Sequence, residues 1–349
     1  MLLEGLQLAL TTPFYPDGHL NLLKLEHNVT RYSKTPVAGL VALSELGEPT
    51  MLSEDETRQV LRSVANAAAA EKVLVAGVSR DSVTATVDLA ESAAKFGYDA
   101  VLVKQPSLFE HGASRKYAKE LLTYFQAVAD RSALPVVLYR SASEQGGGLP
   151  LEVVIELAGH RQIIGLVDGA GGKTRFEALR AGTAGVKRDV TVTTVFAAVT
   201  ARMQAQSENL ISANTLTGGA GLAVAPTGIV AKTRTKVVGF QILAGSTAGM
   251  LEGLRAGAVG AMPAFAGSAP QACYEVLAAW KDGDEGLAEE KQFRLERVAE
   301  RVEEQLGLAG IKFGCDLNGY FGGRPRLPLL PLTGSERAEI EALMQGLRN

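Results

Sequence analysis

Pro135-Val-Val-Leu-Tyr139-Arg140 and Ile163-Ile-Gly165-Leu166-Val167-Asp168 are two short apolar runs either side of a helix-length stretch. The pattern reads strand, helix, strand. Parallel strands need a crossover of about a dozen residues or more, and a right-handed helix supplies it, so the unit argues for a parallel sheet with helices outside. Both runs end in polar residues. In a (β/α)8 barrel the carboxyl ends of the strands carry the chemistry, which makes Tyr139, Arg140 and Asp168 candidates for a site.

The unit repeats in both directions. Upstream lie apolar runs at Leu6–Leu10, Val37–Leu43, Lys72–Ala76 and Ala100–Val103; downstream lie Phe240–Gly245 and Val259–Pro263. Helical periods separate them, over Asn21–Ser33, Ser82–Phe96, Ser114–Ala129 and Lys173–Ala181. Ser53-Glu-Asp-Glu56 starts another as a capping box, hydroxyl and carboxylate each satisfying a free amide. Gly97 stands where a left-handed cap is needed. Eight strands predict an α/β fold, a (β/α)8 TIM barrel over residues 1–265, with a C-terminal helical extension over 266–349.

That extension has helical periods at Pro270–Trp280, Glu285–Gln305 and Ser335–Leu347, and a proline-fixed linker, Arg324-Pro-Arg-Leu-Pro-Leu-Leu-Pro331. Residues 183–238 are too many for a plain connection and are expected to carry their own strands or hairpin. Because they follow a helix and precede a strand, they are expected at the barrel's amino end, in assembly or stability rather than chemistry; the alternative is that their Thr-rich part re-enters the mouth. Their Gly218-Gly-Ala-Gly221 run lacks the Lys-Ser/Thr of a phosphate loop and reads as a turn.

Composition narrows the function. Lys and Arg (35) nearly match Asp and Glu (38), for a net charge of -3, which leaves no electrostatic footprint for nucleic acid or anionic membrane. A small molecule is the expected partner. Cys273 and Cys315 sit in no CxxC or Cys/His pattern and read as buried, reduced thiols. His19, His27, His111 and His160 stand singly, so neither metal nor cofactor is expected. An acidic residue, Glu4, near the N-terminus and the lack of a long apolar run point to a cytoplasmic protein.

With these residues placed, the chain resembles the dihydrodipicolinate synthase and N-acetylneuraminate lyase family over nearly all its length, the insertion excepted. The matches, in order, are Thr12-Pro13-Phe14 with Asp17-Gly18; Gly47-Glu48 with Leu52-Ser53-Glu54-Asp55-Glu56; Val75-Ala76-Gly77; Pro135 to Tyr139; Ile164-Gly165; Ala244-Gly245; Arg255-Ala-Gly257-Ala-Val-Gly260; and Gly323 to Pro331. The resemblance implies a (β/α)8 barrel with a C-terminal helical domain, assembled as a homo-oligomer, dimer or tetramer. It also implies imine chemistry on a 2-oxo acid through a strand-six lysine in a Gly-Ile-Lys-Asp-like motif.

Here that motif reads Gly165-Leu166-Val167-Asp168, at the family's own distance from Tyr139, and an isopropyl group is no nucleophile. The Gly-Thr-Thr-Gly-Glu-like turn that holds the substrate carboxylate reads Ser44-Glu45-Leu46-Gly47-Glu48, and Glu45 would repel a second carboxylate. Ser107 and Leu108 replace the family's paired tyrosines. Tyr139 matches the proton-relay phenol. Arg140 can hold an anion in a bidentate fork or pair with Glu45 or Asp168. Asp168 can orient Arg140, ligate a metal or serve structure.

Glu45 is an acid–base candidate or a solvated loop carboxylate. Lys104, ending strand four, is a candidate relocated imine-forming amine if it points inward. Lys187 lies at the wrong distance from Tyr139. Catalytic candidates are therefore Tyr139, Glu45 and Lys104; substrate-binding candidates are Ser44, Gly47, Arg140, Asp168 and Gly245. The favoured expectation is a lyase acting on a small oxygenated, anionic compound through Tyr139, Arg140 and Glu45 without an imine. The alternatives are a non-catalytic ligand-binding or assembly relative, and an aldolase-type lyase using Lys104.

Overall fold

The computed structural model describes residues 1–109, 114–141, 148–208 and 233–347. Residues 218–221 and His111 lie outside them. Eight parallel strands close a barrel in the order β1 (Gly5–Ala9), β2 (Gly39–Ala42), β3 (Val73–Gly77), β4 (Ala100–Lys104), β5 (Val136–Arg140), β6 (Ile163–Asp168), β9 (Gln241–Ala244) and β10 (Gly260–Ala261). Helices α1 (Leu22–Ser33), α2 (Glu54–Ala67), α3 (Val83–Lys95), α4 (Ala118–Arg131), α5 (Leu151–Ala158), α6 (Lys173–Gly182) and α8 (Met250–Arg255) follow the strands in turn. The capping box at Ser53 and Glu56 is formed in both directions, and Gly97 has φ of 86°.

Alternation along each strand divides the core. Val41, Val73, Val75, Ala100, Leu102, Val137, Val167, Leu243 and Met262 form one cluster, the inside of the barrel. The larger cluster lies between strands and helices, with residues such as Leu40, Leu74, Val101 and Leu138. The strands are therefore buried on both faces, as a covered parallel sheet requires, with Gln7 and Gln241 as buried polar residues on β1 and β9.

The insertion carries the expected strands, one near its start and one at its end. β7 (Arg188–Thr193) and β8 (Thr233–Val238) form a separate antiparallel sheet, and a helix, α7 (Ala201–Glu208), lies between them in sequence. It docks on the barrel's amino end. Arg188 donates to Ala158 O (2.7 Å), His160 O (2.8 Å) and Ile163 O (3.0 Å), at the approach to β6. Arg202 donates to Ala69 O (3.1 Å) and to Lys72 O, before β3, while Ala201 N donates to Asp99 Oδ1 (2.6 Å), before β4.

The extension contains α9 (Pro270–Lys281), α10 (Glu285–Ala299), α11 (Gly307–Leu317) and α12 (Gly334–Leu343). The helix expected over 285–305 gives way to a π-turn at Glu300–Gln305. The turn aims Glu303 at the carboxyl end of the barrel, where its carboxylate accepts from Phe265 N (3.2 Å) and from the Thr247 hydroxyl. Desolvation raises the Glu303 carboxyl to about 7. On α11, Lys312 reaches Glu48 in the loop after β2, and Arg326 grips Glu56, Gly18 O and Met51 O. No helix of the described residues is long and apolar enough to cross a membrane.

Candidate active site

A cavity of about 610 Å³ opens at the carboxyl ends of β2 to β5. Its floor comes from Leu43, Ser44, Glu45, Gly77, Leu102, Lys104, Gln105 and Tyr139. The turn after β2 shapes it. Leu43 (φ 58°) and Glu48 (φ 54°) are non-glycine residues in the left-handed region, bracketing a tight turn at Glu45–Gly47. That backbone is costly and needs support from its surroundings. Gly77 gives it room, since a Cβ there would stand 2.0 Å from Leu43 O.

Glu45 is the centre of a polar cluster. One carboxylate oxygen accepts from Lys104 Nζ (2.8 Å); the other accepts from Tyr139 OH (3.2 Å) and Ser141 Oγ (2.6 Å). Strand register explains the meeting. Lys104 pairs with Tyr139 and Tyr139 with Val167, so the three side chains share one inward-facing layer of the barrel. Lys104 thus points into the barrel rather than out. Its pair with Glu45 is partly exposed, 17% and 41%, and a pair of that kind is worth about 0–1 kcal/mol, so a ligand can open it cheaply.

The second cluster differs in kind. Asp168 is fully buried and accepts from Arg140 (2.8 Å) and from Arg175 on α6 (2.6 Å). Of the two partners left open for Arg140 by the sequence, the structure selects Asp168. Removing one member of a buried ion pair costs about 3–5 kcal/mol. These groups hold the frame beside the cavity and do not line it.

Gly47 and Gly245 are also occupied by the fold. Gly47 N donates to Ser44 O (2.8 Å), and Gly245 N donates to Asp168 O (2.9 Å). A Cβ on Gly245 would meet Gly169 Cα at 2.8 Å. Of the eight residues proposed from sequence, the structure brings Ser44, Glu45, Lys104 and Tyr139 to the cavity. Arg140, Asp168, Gly245 and Gly47 sit around it as framework.

Sequence reading missed Ser141, Gln105, Arg175 and the outer wall of Ser79, Arg80 and Asp81. Ser141 and Gln105 directly follow the quoted strand ends, and that position was their one signal. Ser44 and Gln105 are 5% and 3% exposed, and the Ser44 hydroxyl and both Gln105 amide atoms have no hydrogen-bond partner among the described residues. Buried polar groups are rarely left so, and both residues line the cavity.

Fold and site together define a (β/α)8 barrel protein with a polar pocket at the strand carboxyl ends. The family model for the dihydrodipicolinate synthetase family matches residues 2–192 and 223–347, and the chain belongs to that family. The unmatched interval falls inside the insertion. The 4-hydroxy-tetrahydrodipicolinate synthase of Acidiphilium cryptum is 26% identical over 99% of this chain and 98% of its own. The L-threo-3-deoxy-hexylosonate aldolase of Hypocrea jecorina is 26% identical over 99% and 95%. Among solved structures, Proteus mirabilis N-acetylneuraminate lyase superposes with a TM-score of 0.74 at 20% identity, covering 99% of this chain and 98% of its own.

Proposed function

We propose that this chain is a lyase acting on a small oxygenated carbonyl compound, with acid–base chemistry carried by Glu45 and Tyr139 and with Val167 in the place of the family's imine-forming lysine. One observation supports the reading above the rest: the Glu45 carboxylate receives the Tyr139 phenol, the Ser141 hydroxyl and the Lys104 ammonium at the floor of the cavity. A carboxylate and a phenol in contact can pass a proton to or from a carbon next to a carbonyl. The expectation of an anionic substrate rested on Arg140, and that guanidinium lies on Asp168. A hydroxylated compound needs no such cation.

The reading includes a homo-oligomeric assembly, after the family. The test is exchange of α-protons and cleavage of carbon–carbon bonds in D2O, followed by NMR across a panel of 2-oxo acids and hydroxyketones. Exchange that falls at least tenfold in Tyr139→Phe and in Glu45→Gln is the expected result. Ligand binding by calorimetry with no exchange or cleavage of any compound would make the chain a non-catalytic relative.

A further inference from the structure

We infer that Lys104 is the covalent centre of this site, forming an imine with a neutral hydroxylated aldehyde or ketone. The inference rests on the proposed lyase reading and adds to it the nucleophile and the charge class of the substrate.

Geometry carries the choice of Lys104. Ala100 and Leu102, four and two residues before it on β4, belong to the cluster inside the barrel, so alternation turns Lys104 inward at the mouth. It lines the cavity, and its amine touches the Glu45 carboxylate, which also holds the Tyr139 phenol. An amine becomes a nucleophile when an adjacent base takes its proton. Glu45, 2.8 Å away, is that base.

The proton and charge balance closes within the cluster. Glu45 takes a proton from the Lys104 ammonium, and the free amine attacks the carbonyl carbon, forming the C–N bond. Tyr139 relays the surplus proton from nitrogen to oxygen, giving a neutral carbinolamine. Glu45 then returns its proton to the departing hydroxyl; the C–O bond breaks, water leaves, and a cationic imine remains beside a carboxylate, as the ammonium did before it. No oxidant, reductant or co-reactant is needed.

The lining carries the charge class. Among the described lining residues Glu45, Glu54 and Asp81 face Lys104 and Arg80, an acidic balance. A 2-oxo acid would bring another carboxylate next to Glu45. The unpartnered polar groups among the described lining residues are neutral: the Ser44 hydroxyl and the Gln105 carboxamide, which can donate to and accept from hydroxyl groups.

Borohydride trapping tests both parts. The full-length protein is incubated with dihydroxyacetone, or with pyruvate, then reduced and weighed intact, and the adduct is mapped by peptide mass spectrometry. A single adduct per chain on Lys104, stronger with dihydroxyacetone and slowed at least tenfold in Glu45→Gln, is expected. Lys104→Arg retains a cation for the Glu45 pair but cannot form the imine, and should show no adduct; Lys104→Met, with its unfolding curve recorded alongside, repeats the test.

An adduct on another lysine, or one undiminished in both variants, overturns the inference. Preferential trapping of pyruvate on Lys104 overturns the charge class. No adduct, with α-proton exchange that still falls in Tyr139→Phe, overturns the covalent role and leaves the lyase reading standing. Neither adduct nor exchange would sink both.

Discussion

The ammonium of Lys312 and the carboxylate of Glu48 meet inside the protein, their side chains 0% and 1% exposed. The same carboxylate accepts from Arg326 N at 2.8 Å, and Lys312 Nζ also donates to Arg324 O at 3.1 Å. The C-terminal extension is thus tied to the left-handed residue that ends the turn at the cavity. Leaving either charge alone in this place costs about 3–5 kcal/mol. Glu48→Gln and Lys312→Met should each lower stability by that order in urea unfolding. The double variant should recover part of it; strictly additive losses would show that the two charges do not interact.

Glu303 should make stability depend on pH near neutrality. Its carboxyl, ordinarily at 4.5, is raised to about 7 by desolvation at the barrel mouth. The folded state therefore holds a proton that the unfolded state releases, and stability falls as pH rises from about 4.5 through 7. The full swing is about 3 kcal/mol. Thermal unfolding from pH 5 to 8 should show a fall that Glu303→Gln removes, the variant being the more stable above pH 7. Parallel curves for the two proteins would contradict this.

Asp168 is expected to matter for folding far more than for turnover. In Asp168→Asn one guanidinium keeps an acceptor while the other faces an amide donor, so a loss of about 3 kcal/mol follows. Below the unfolding temperature, α-proton exchange should stay within about threefold of the parent, since the cavity wall is untouched. A hundredfold loss in a protein still folded would return Asp168 to the chemistry.

The insertion should be separable from the site. Arg188→Ala with Arg202→Ala removes the side chains that donate to carbonyls at the barrel's amino end. Hydrogen exchange should accelerate in residues 188–193 and 233–238, while ligand binding at the opposite end is preserved. Lost binding at unchanged oligomeric mass would count against a purely structural insertion.

The barrel was legible because buried parallel strands appear as short apolar runs with polar ends, and Leu6–Leu10 through Ile163–Asp168 are of that kind. α11 was not. Gly307, Gly310 and Gly314 weaken its helical signal, yet a Cβ on Gly310 would stand 2.3 Å from Val302 O and one on Gly314 2.6 Å from Ser268 Oγ. Close packing chose residues that helix propensity disfavours.

The site was legible only as a set of strand ends. Ala100-Val-Leu-Val-Lys104 is buried on both sides, so no polar alternation says which way Lys104 faces; the closed barrel decides it. The partner of Arg140 was undecidable for a similar reason. Glu45 and Asp168 both stand at strand carboxyl ends, and Arg175, which completes the buried cluster, comes from a helix whose sequence shows nothing of that contact.

Tyr139 has Lys104 on one flank and Val167 on the other. An amine on β4 and an amine on β6 therefore meet the phenol from opposite hands. For a compound held with the same groups toward the mouth, an imine anchored on the β4 side presents Tyr139 with the prochiral face that an imine anchored on the β6 side would turn away. A deuteron delivered through Lys104 and Tyr139 should accordingly give a product of one configuration at the α-carbon, opposite to that from a β6-anchored imine, and the handedness of the product would record which strand held the substrate.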